Sequence, residues 1–525
     1  MSKGELEGSA HPQDVQVVAR GGAIQIAGQI TQGMVAFVFV AVIVRLLSTA
    51  EYGLFRQVAQ ILAIGGQLGL AGFNYAALRH IAQARASDNP GSVRGSARVA
   101  AIGALVSSAL VFVVLQVSAY EIASSFAEDD PSRRELAGLI RLGAGFVPLF
   151  ALTQVFRYCT QAYKTMVPSV IVGNIVQPIV RLVVAAGLIV IGFGVRGAVL
   201  GMMLAAAVAL ALSLTMFRRI LTSVERRTPA TSRPVSMVRF ALLQGGSSLL
   251  GIQTLGLGVL ILGAYGTDRD VGLLGIALAL QTPGTLFLGG VVNIWAPVVA
   301  DLYERKEIAR LEALYRAITR WVVTFSLPIF AALILLPGLF VDLLAGSRGL
   351  GAAPLVAILA IGNLFYCGTG PTGFVLSMTG RPGINFVNSA VGVALYISLG
   401  IWIVPAHGAL GMAAVDAIVT AVINTVRVIE AKVVVGIHPF GRSLLKPVVA
   451  SAAALGGACL FLWFAGSGRI AAVVGLALGG LTFVVVLNRL GLDPEERQVW
   501  EGVLRKMGRL RPSLTSHRAS EQGPQ

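Results

Sequence analysis

The sequence predicts an all-α, polytopic integral membrane protein of about fourteen transmembrane helices, arranged as two parallel six-helix lobes with a C-terminal helix pair. Three observations predict it. Residues are 55% hydrophobic and only 13% charged, with a mean hydropathy of +0.79, whereas soluble domains are about 25% charged. The apolar residues fall in runs of about 20, the length that crosses a hydrocarbon core of about 30 Å. The lysines and arginines then alternate between the two sides of the runs, as the excess of basic residues in cytoplasmic loops requires.

The runs lie near 23–47, 57–78, 97–119, 137–156, 167–192 and 197–217, resume near 240–265, 271–296, 321–345, 352–378, 384–404 and 408–426, and end with a pair at 447–465 and 470–488. With an inside N-terminus, 31 of the 41 basic residues fall on cytoplasmic segments, nine fall on outer loops or outer helix ends, and Arg181 lies within a span. One missing or surplus span would reverse the side of every later loop, so the bias supports number and orientation together. It also accounts for the net charge of +16 by dispersed loop residues instead of a nucleic-acid-binding surface. The expected organisation is a cytoplasmic N-terminal tail (1–22), an N-lobe (23–217), a cytoplasmic linker (218–239), a C-lobe (240–426), spans 13 and 14 (447–488) and a basic cytoplasmic tail (489–525). The first 22 residues carry Glu5, Glu7 and Asp14 and lack the basic start and cleavage site of a secretory signal. In the last segment, Trp500, Val503, Leu504, Met507 and Leu510 recur at helical spacing among arginines, which suggests a helix lying on the membrane surface; a disordered basic tail is the alternative.

The chain repeats itself. Arg20 and Arg239 each open a polar, glutamine-containing span, and Gly53 and Gly272 each follow an acidic residue in the next outer loop, both pairs 219 residues apart. Pro168 and Asn174 correspond to Pro382 and Asn388 at an offset of 214, and the Gly197-Ala198 turn to Gly408-Ala409 at 211. Six spans per repeat is an even number, so both copies start on the same side and are related by a pseudo-twofold along the membrane normal, with a binding site expected between them.

Polar residues inside the spans are the candidate site. Asn174, Gln177 and Arg181 share one face of the fifth span, where a charge costs about 2.5–3.5 kcal/mol on insertion scales and must face protein or a wet cavity. Arg181 could bind an anion through its planar fork of donors, or be neutralised by another helix. Asp416, with Thr420 and Asn424 on its face of the twelfth span, could exchange a proton or bind sodium, or simply pair with Arg181. Gln25 and Gln29, with Gln32, on the first span and Gln244, with Ser247 and Ser248, on the seventh could hydrogen-bond sugar hydroxyls, or join helices. Cys159, Cys367 and Cys459 all lie in apolar runs and the five histidines are scattered, so no disulfide framework, metal site or cofactor is expected. Gly192-Phe193-Gly194-Val195-Arg196-Gly197 matches a dinucleotide-binding pattern but joins two spans without the preceding strand, so it reads as a turn.

At 45–55 the chain reads RLLSTAEYGLF and at 68–82 LGLAGFNYAALRHIA. These segments, with the stretch 297–316 after the eighth span, resemble the polysaccharide transporter, or Wzx-type lipid-linked oligosaccharide flippase, family of the MOP flippase superfamily. Gln67 and Leu68 stand where that family often has an acidic residue before Gly69-Leu70, so no ion-coupling role carries over there. The resemblance implies a non-enzymatic transporter in a bacterial-type plasma membrane, both termini cytoplasmic. It would flip a polyprenyl-pyrophosphate-linked glycan from the cytoplasmic to the outer leaflet by alternating access, within membrane lipid, beside polysaccharide-assembly proteins and with a coupling proton or sodium ion. Alternatives are a cation-coupled multidrug exporter or a lipid II flippase of the same superfamily, and a membrane glycan polymerase or ligase, which would need a large catalytic outer loop that this sequence does not show.

Overall fold

The computed structural model describes residues 12–490 apart from 128, 164, 232–233, 250–255, 380 and 467, and all regular structure among them is helical. A bilayer core offers no water to backbone amides, so each spanning segment must satisfy its hydrogen bonds internally, and a helix does so. The first half holds α1 (Pro12–Leu46), α2 (Thr49–Leu70), α3 (Phe73–Ala86), α4 (Pro90–Val117), α5 (Ala119–Ser124), α6 (Asp130–Gly143), α7 (Phe146–Gln161), α8 (Val167–Val170), α9 (Gln177–Leu188), α10 (Gly194–Ile220) and α11 (Ser223–Arg227). The second half holds α12 (Pro234–Leu249), α13 (Leu257–Tyr265), α14 (Asp268–Glu304), α15 (Ile308–Leu335), α16 (Pro337–Ala345), α17 (Ala353–Gly368), α18 (Thr372–Met378) and α19 (Pro382–Glu430). Residues up to Gly441 form one compact unit. From Arg442 a second unit begins, in which α20 (Leu445–Ala465) and α21 (Arg469–Arg489) pack on each other. The amphipathic stretch expected at 494–510 lies outside the described residues.

Local chemistry sets the helix ends. Ser48 caps α2 in a reciprocal box: its hydroxyl accepts from the Glu51 amide at 3.2 Å and the Glu51 carboxylate accepts from the Ser48 amide at 2.8 Å. The helix therefore starts at Thr49, two turns before the apolar run at 57–78, and it breaks where Ala71 and Gly72 take positive φ of 45° and 77°. Asn89 and Asp129 cap α4 and α6 by accepting from the Ser92 and Ser132 amides, each with a proline in the first turn.

Eleven stretches of the described residues are long and apolar enough to cross a membrane. Two of them, 167–220 and 383–435, run for 54 and 53 residues, more than twice what a bilayer needs. Each is a helical hairpin. The first turns at Gly192 and Gly194, and Gly201 of α10 then lies so close to α9 that an added Cβ would stand 2.7 Å from the Ala185 backbone. The second turns at Gly408, after which Asp416 and Arg427 return to bond Tyr396 and Ser389. Gly194 and Gly408 share one backbone conformation, φ 51° and 52° with ψ −136° in both. The equivalent turn residues are therefore Gly194 and Gly408, 214 apart like Pro168 and Pro382, and the offset of 211 from Gly197 is corrected by three residues.

The two halves meet where the repeat is clearest. A Cβ on Gly53 would stand 1.7 Å from the Asp268 carbonyl oxygen, and one on Gly272 would stand 2.1 Å from that of Thr49. Shifting Gly53 and Asp268 by 219 residues, forward and back, gives Gly272 and Thr49, so these two contacts are one contact seen twice across a twofold. Gln57 Nε2 donates to Asp268 Oδ1 at 2.6 Å, and the Arg45 guanidinium donates to the carbonyls of Leu343 and Leu344. The halves are thus sealed at this end. At the other end of α2, Gly72 abuts the Ala241 backbone, and Met237 and Ala241 of α12 join a buried cluster of α3, α4 and α7 residues.

Gly201→Leu is expected to lower stability by about 1–3 kcal/mol through overpacking against Ala185. Gly187→Leu, with nothing within 4 Å of its Cβ position, should leave thermal unfolding in detergent unchanged.

Candidate functional site

Beyond the Gly53–Gly272 seal lies a cavity of about 670 Å³ lined from both halves. Its first-half wall is α2: once Ser48 has set the helix start, Arg56 and Gln60, four residues apart, fall on one face and enter the cavity. Its second-half wall is built mainly by the hairpin of α19, whose returning arm places Asp416, Thr420, Asn424 and Arg427 along one line, with Ser389 and Tyr396 on the outgoing arm and Asn363 and Tyr366 from α17. Gly275 has no side chain where Tyr52 and Arg56 pass; a Cβ there would stand 2.9 Å from the Tyr52 ring.

Two arginines, Arg56 and Arg427, line this space. The Nε of Arg56 is buried without a partner, as is that of Arg427, whose Nη2 donates to Ser389 at 3.2 Å. Asp416 is the cavity's one carboxylate among the lining residues, and it accepts from the Tyr396 hydroxyl at 3.1 Å. Two guanidiniums against one carboxylate leave the lining net positive.

The sequence matches the model of the polysaccharide biosynthesis protein family over residues 18–303, more than half of the chain. The chain belongs to that family. No curated protein matches it in sequence. Its fold is shared with a lipid II flippase MurJ in an inward closed conformation (TM-score 0.70, 11% identity, 88% of this chain and 97% of that one). It is shared too with an inward-facing multidrug resistance MATE family transporter of the MOP superfamily (0.66, 13%, 79% and 98%) and with a MOP superfamily transporter from Pyrococcus furiosus (0.56, 16%, 80% and 96%). The resemblance read from RLLSTAEYGLF and its companion segments is thereby confirmed. The family is thus that of polysaccharide biosynthesis proteins, and the fold is one that these transporters share.

In this polysaccharide-family chain the polar residues singled out from the sequence separate into different places. Asp416 lines the cavity with Thr420 and Asn424. Arg181 does not pair with it: its guanidinium lies over the Phe39 ring, 4.3 Å from the centroid, its Nε unbonded, with Arg56 and Tyr52 close enough to act on it electrostatically. The alternative in which Asp416 neutralises Arg181 is therefore overturned; a desolvated guanidinium on an aromatic face gains about 2 kcal/mol instead. Asn174 is buried in a different network, donating to Gln32 Oε1 at 2.9 Å and accepting from Arg157 Nη2 at 3.5 Å. Gln25, Gln29 and Gln177 are partly buried and are not among the residues lining this cavity. The Gln244 side chain, with those of Ser247 and Ser248, lies outside the described residues.

Three arginines escaped the sequence reading. Arg56 falls just outside the apolar run that begins at 57, although the Ser48-to-Glu51 capping pattern puts it two turns inside the helix. Arg427, one residue past the run that ends at 426, lies eleven residues after Asp416 and so on the same helix face. Arg157, counted with a loop, is held by Gln154 at 3.1 Å and by the carbonyl and hydroxyl of Ser169 at 3.2 and 3.3 Å. Its guanidinium packs on Gly173, where a Cβ would come within 2.1 Å. Arg157→Gln, which leaves those acceptors unmatched, is expected to cost about 1–3 kcal/mol of stability. Arg56→Gln, which removes no protein hydrogen bond, should leave the thermal unfolding midpoint near that of the wild type.

Proposed function

We propose that this protein flips a polyprenyl-pyrophosphate-linked oligosaccharide across a bacterial-type plasma membrane by alternating access, its N-terminus and C-terminus cytoplasmic. The observation that carries the proposal is the pair Arg56 and Arg427, one from each half, facing a single cavity with buried donors unspent. A buried cation with unmatched donors is costly unless an anion meets it, and a pyrophosphate offers guanidiniums on two sides the acceptor geometry they fit. The glycan cannot cross hydrocarbon unaided, since each unpaired polar group there costs several kcal/mol. Gln60, Asn363, Thr420 and Asn424 supply further donors and acceptors in the same cavity, suited to sugar hydroxyls. Arg181 acts from behind Phe39 as a second positive charge near Arg56.

With the N-terminus inside, the Gly53–Gly272 seal lies on the outer side, so the cavity is shut outward in this conformation. Rocking the halves about the cavity would part Gly53 from Asp268 and release the glycan to the outer leaflet. Asp416, held by Tyr396, is the candidate carrier of a coupling proton or sodium ion. A multidrug exporter of cations would use a net negative lining, and the excess of arginine over carboxylate here speaks for an anionic cargo.

In proteoliposomes carrying a fluorescent polyprenyl-pyrophosphate oligosaccharide, wild-type protein should expose the glycan to an external lectin, and Arg56→Gln or Arg427→Gln should slow this at least about tenfold, the loss of one charge-assisted contact of about 1.5–3 kcal/mol. Unchanged flipping in both variants, with altered export of cationic drugs, would overturn the anionic-cargo reading. Linking Gln57→Cys to Asp268→Cys with a short reducible crosslinker, in a Cys459→Ala background, should stop flipping and reduction should restore it. Transport that continues across the closed link would exclude opening at this seal.

A further inference from the structure

A second basic site lies away from the cavity, on the outside of the first half. Helices α4 and α10 both pack on α7, and between them at one end is a pocket of about 300 Å³. Its floor is apolar, with Phe156 of α7 against Phe217 of α10 at 5.9 Å between ring centroids. Its rim carries Arg94, Arg98, Arg218 and Arg226.

These four arginines do not have equal duties. Arg94 Nη1 donates to the Arg226 carbonyl at 2.6 Å and Arg226 Nη2 to the Arg218 carbonyl at 2.6 Å, which ties α4 to the chain after α10. The side chains of Arg98 and Arg218 make no hydrogen bond or ion pair with any described residue, and both are exposed. No acidic residue occurs in α4, α7 or α10. The nearest in sequence are Asp88, exposed two residues before α4, and Glu225, which is spent elsewhere, accepting from the Thr222 amide at 2.7 Å and Tyr163 at 3.0 Å and lying 3.6 Å from Arg85.

Away from the pocket, both flanking helices continue as exposed apolar stripes. Ile102, Leu105 and Leu110 follow Arg98 along α4, while Leu204 and Val208 precede Arg218 along α10. Dispersed loop arginines, as the topology rule alone would produce, need neither a shared concavity nor an apolar track leading out of it. Two free guanidiniums at the head of a hydrocarbon-facing groove match a molecule with a phosphate at one end and acyl chains at the other.

We propose that the groove between α4 and α10 binds an anionic phospholipid of the surrounding leaflet, with the phosphate between Arg98 and Arg218 and the chains along the two stripes. This site is separate from the transport cavity and does not depend on what is transported. Lipid held there would brace α4 and α10 against α7 from the membrane side.

The test is native mass spectrometry of the purified full chain titrated with phosphatidylglycerol, with phosphatidylcholine of the same chains, with glycerol phosphate, and with a polyprenyl pyrophosphate as competitor. Wild-type protein should retain phosphatidylglycerol preferentially. Arg98→Gln with Arg218→Gln should weaken that retention roughly thirtyfold, about fivefold for each arginine near the leaflet. Arg196→Gln, at the far end of α10, should leave it unchanged. Because the Arg98 and Arg218 side chains have no protein partner, the variant should keep the wild-type circular dichroism and elution; each single variant provides the same reading at about fivefold. Equal retention by the double variant and wild type, or equal retention of phosphatidylcholine, would overturn the proposal in favour of unspecific lipid. Glycerol phosphate that displaces the lipid would make this a site for soluble anions, and polyprenyl pyrophosphate that displaces it more strongly than phosphatidylglycerol binds would make it a cargo site; either result overturns it.

Discussion

Everything in this protein follows from the fact that hydrocarbon offers no hydrogen bonds. Backbone groups must be satisfied within each span, which leaves helices as the structural unit, and every charged side chain at depth needs a partner or a reason. The first half shows three different answers for one residue type. Arg157 is fully engaged, its donors shared among Gln154, Ser169 and Asn174 and its plane laid on Gly173. Arg181 rests on the face of Phe39. Arg56 is given neither: it lines a cavity while its Nε stays buried without a partner. The first two hold the bundle together; the third is the kind of unbalanced charge a protein keeps only when something else balances it.

The twofold relation between the halves puts that cavity where it is. Gly53 and Gly272 reach the same contact from opposite sides, and a contact made twice across an axis must lie on that axis. The absence of side chains lets backbones touch there, so the helices converge at one end and diverge beyond it. The cavity begins one turn past the seal, which is why its walls come from equivalent regions of the two repeats yet carry different residues: Arg56 in one copy corresponds at the same offset to Gly275 in the other, and that glycine gives Arg56 its room. Divergence of the copies at a shared position has thus created an asymmetric lining on a symmetric frame.

Much of the architecture was legible in the sequence because the bilayer imposes a length and a sidedness that composition must obey. The helical class, the hairpins at 167–220 and 383–435, and the family resemblance carried by RLLSTAEYGLF all rest on such local or periodic signals. Asp416 was legible as well, because a carboxylate amid apolar residues is conspicuous. Helix limits were less so: hydropathy marks where side chains are apolar, while helices begin where caps bind the first amides, and the two turns between Thr49 and Gln57 hid Arg56. The turn equivalence was likewise off by three, since Gly197 follows Gly194 closely and only backbone angles tell them apart.

The sequence by itself determined that this chain lies in a membrane as repeated helices, because hydrophobic length and charge sidedness are written residue by residue. Tertiary structure alone decided which intramembrane polar groups serve the frame and which face the cavity. Asn174 and Arg181 share a helix face with each other but find their partners on α7 and α1, and Arg56 meets Arg427 only because helices 371 residues apart border one space. Partnership across helices depends on packing distance, a quantity that no stretch of a single chain records.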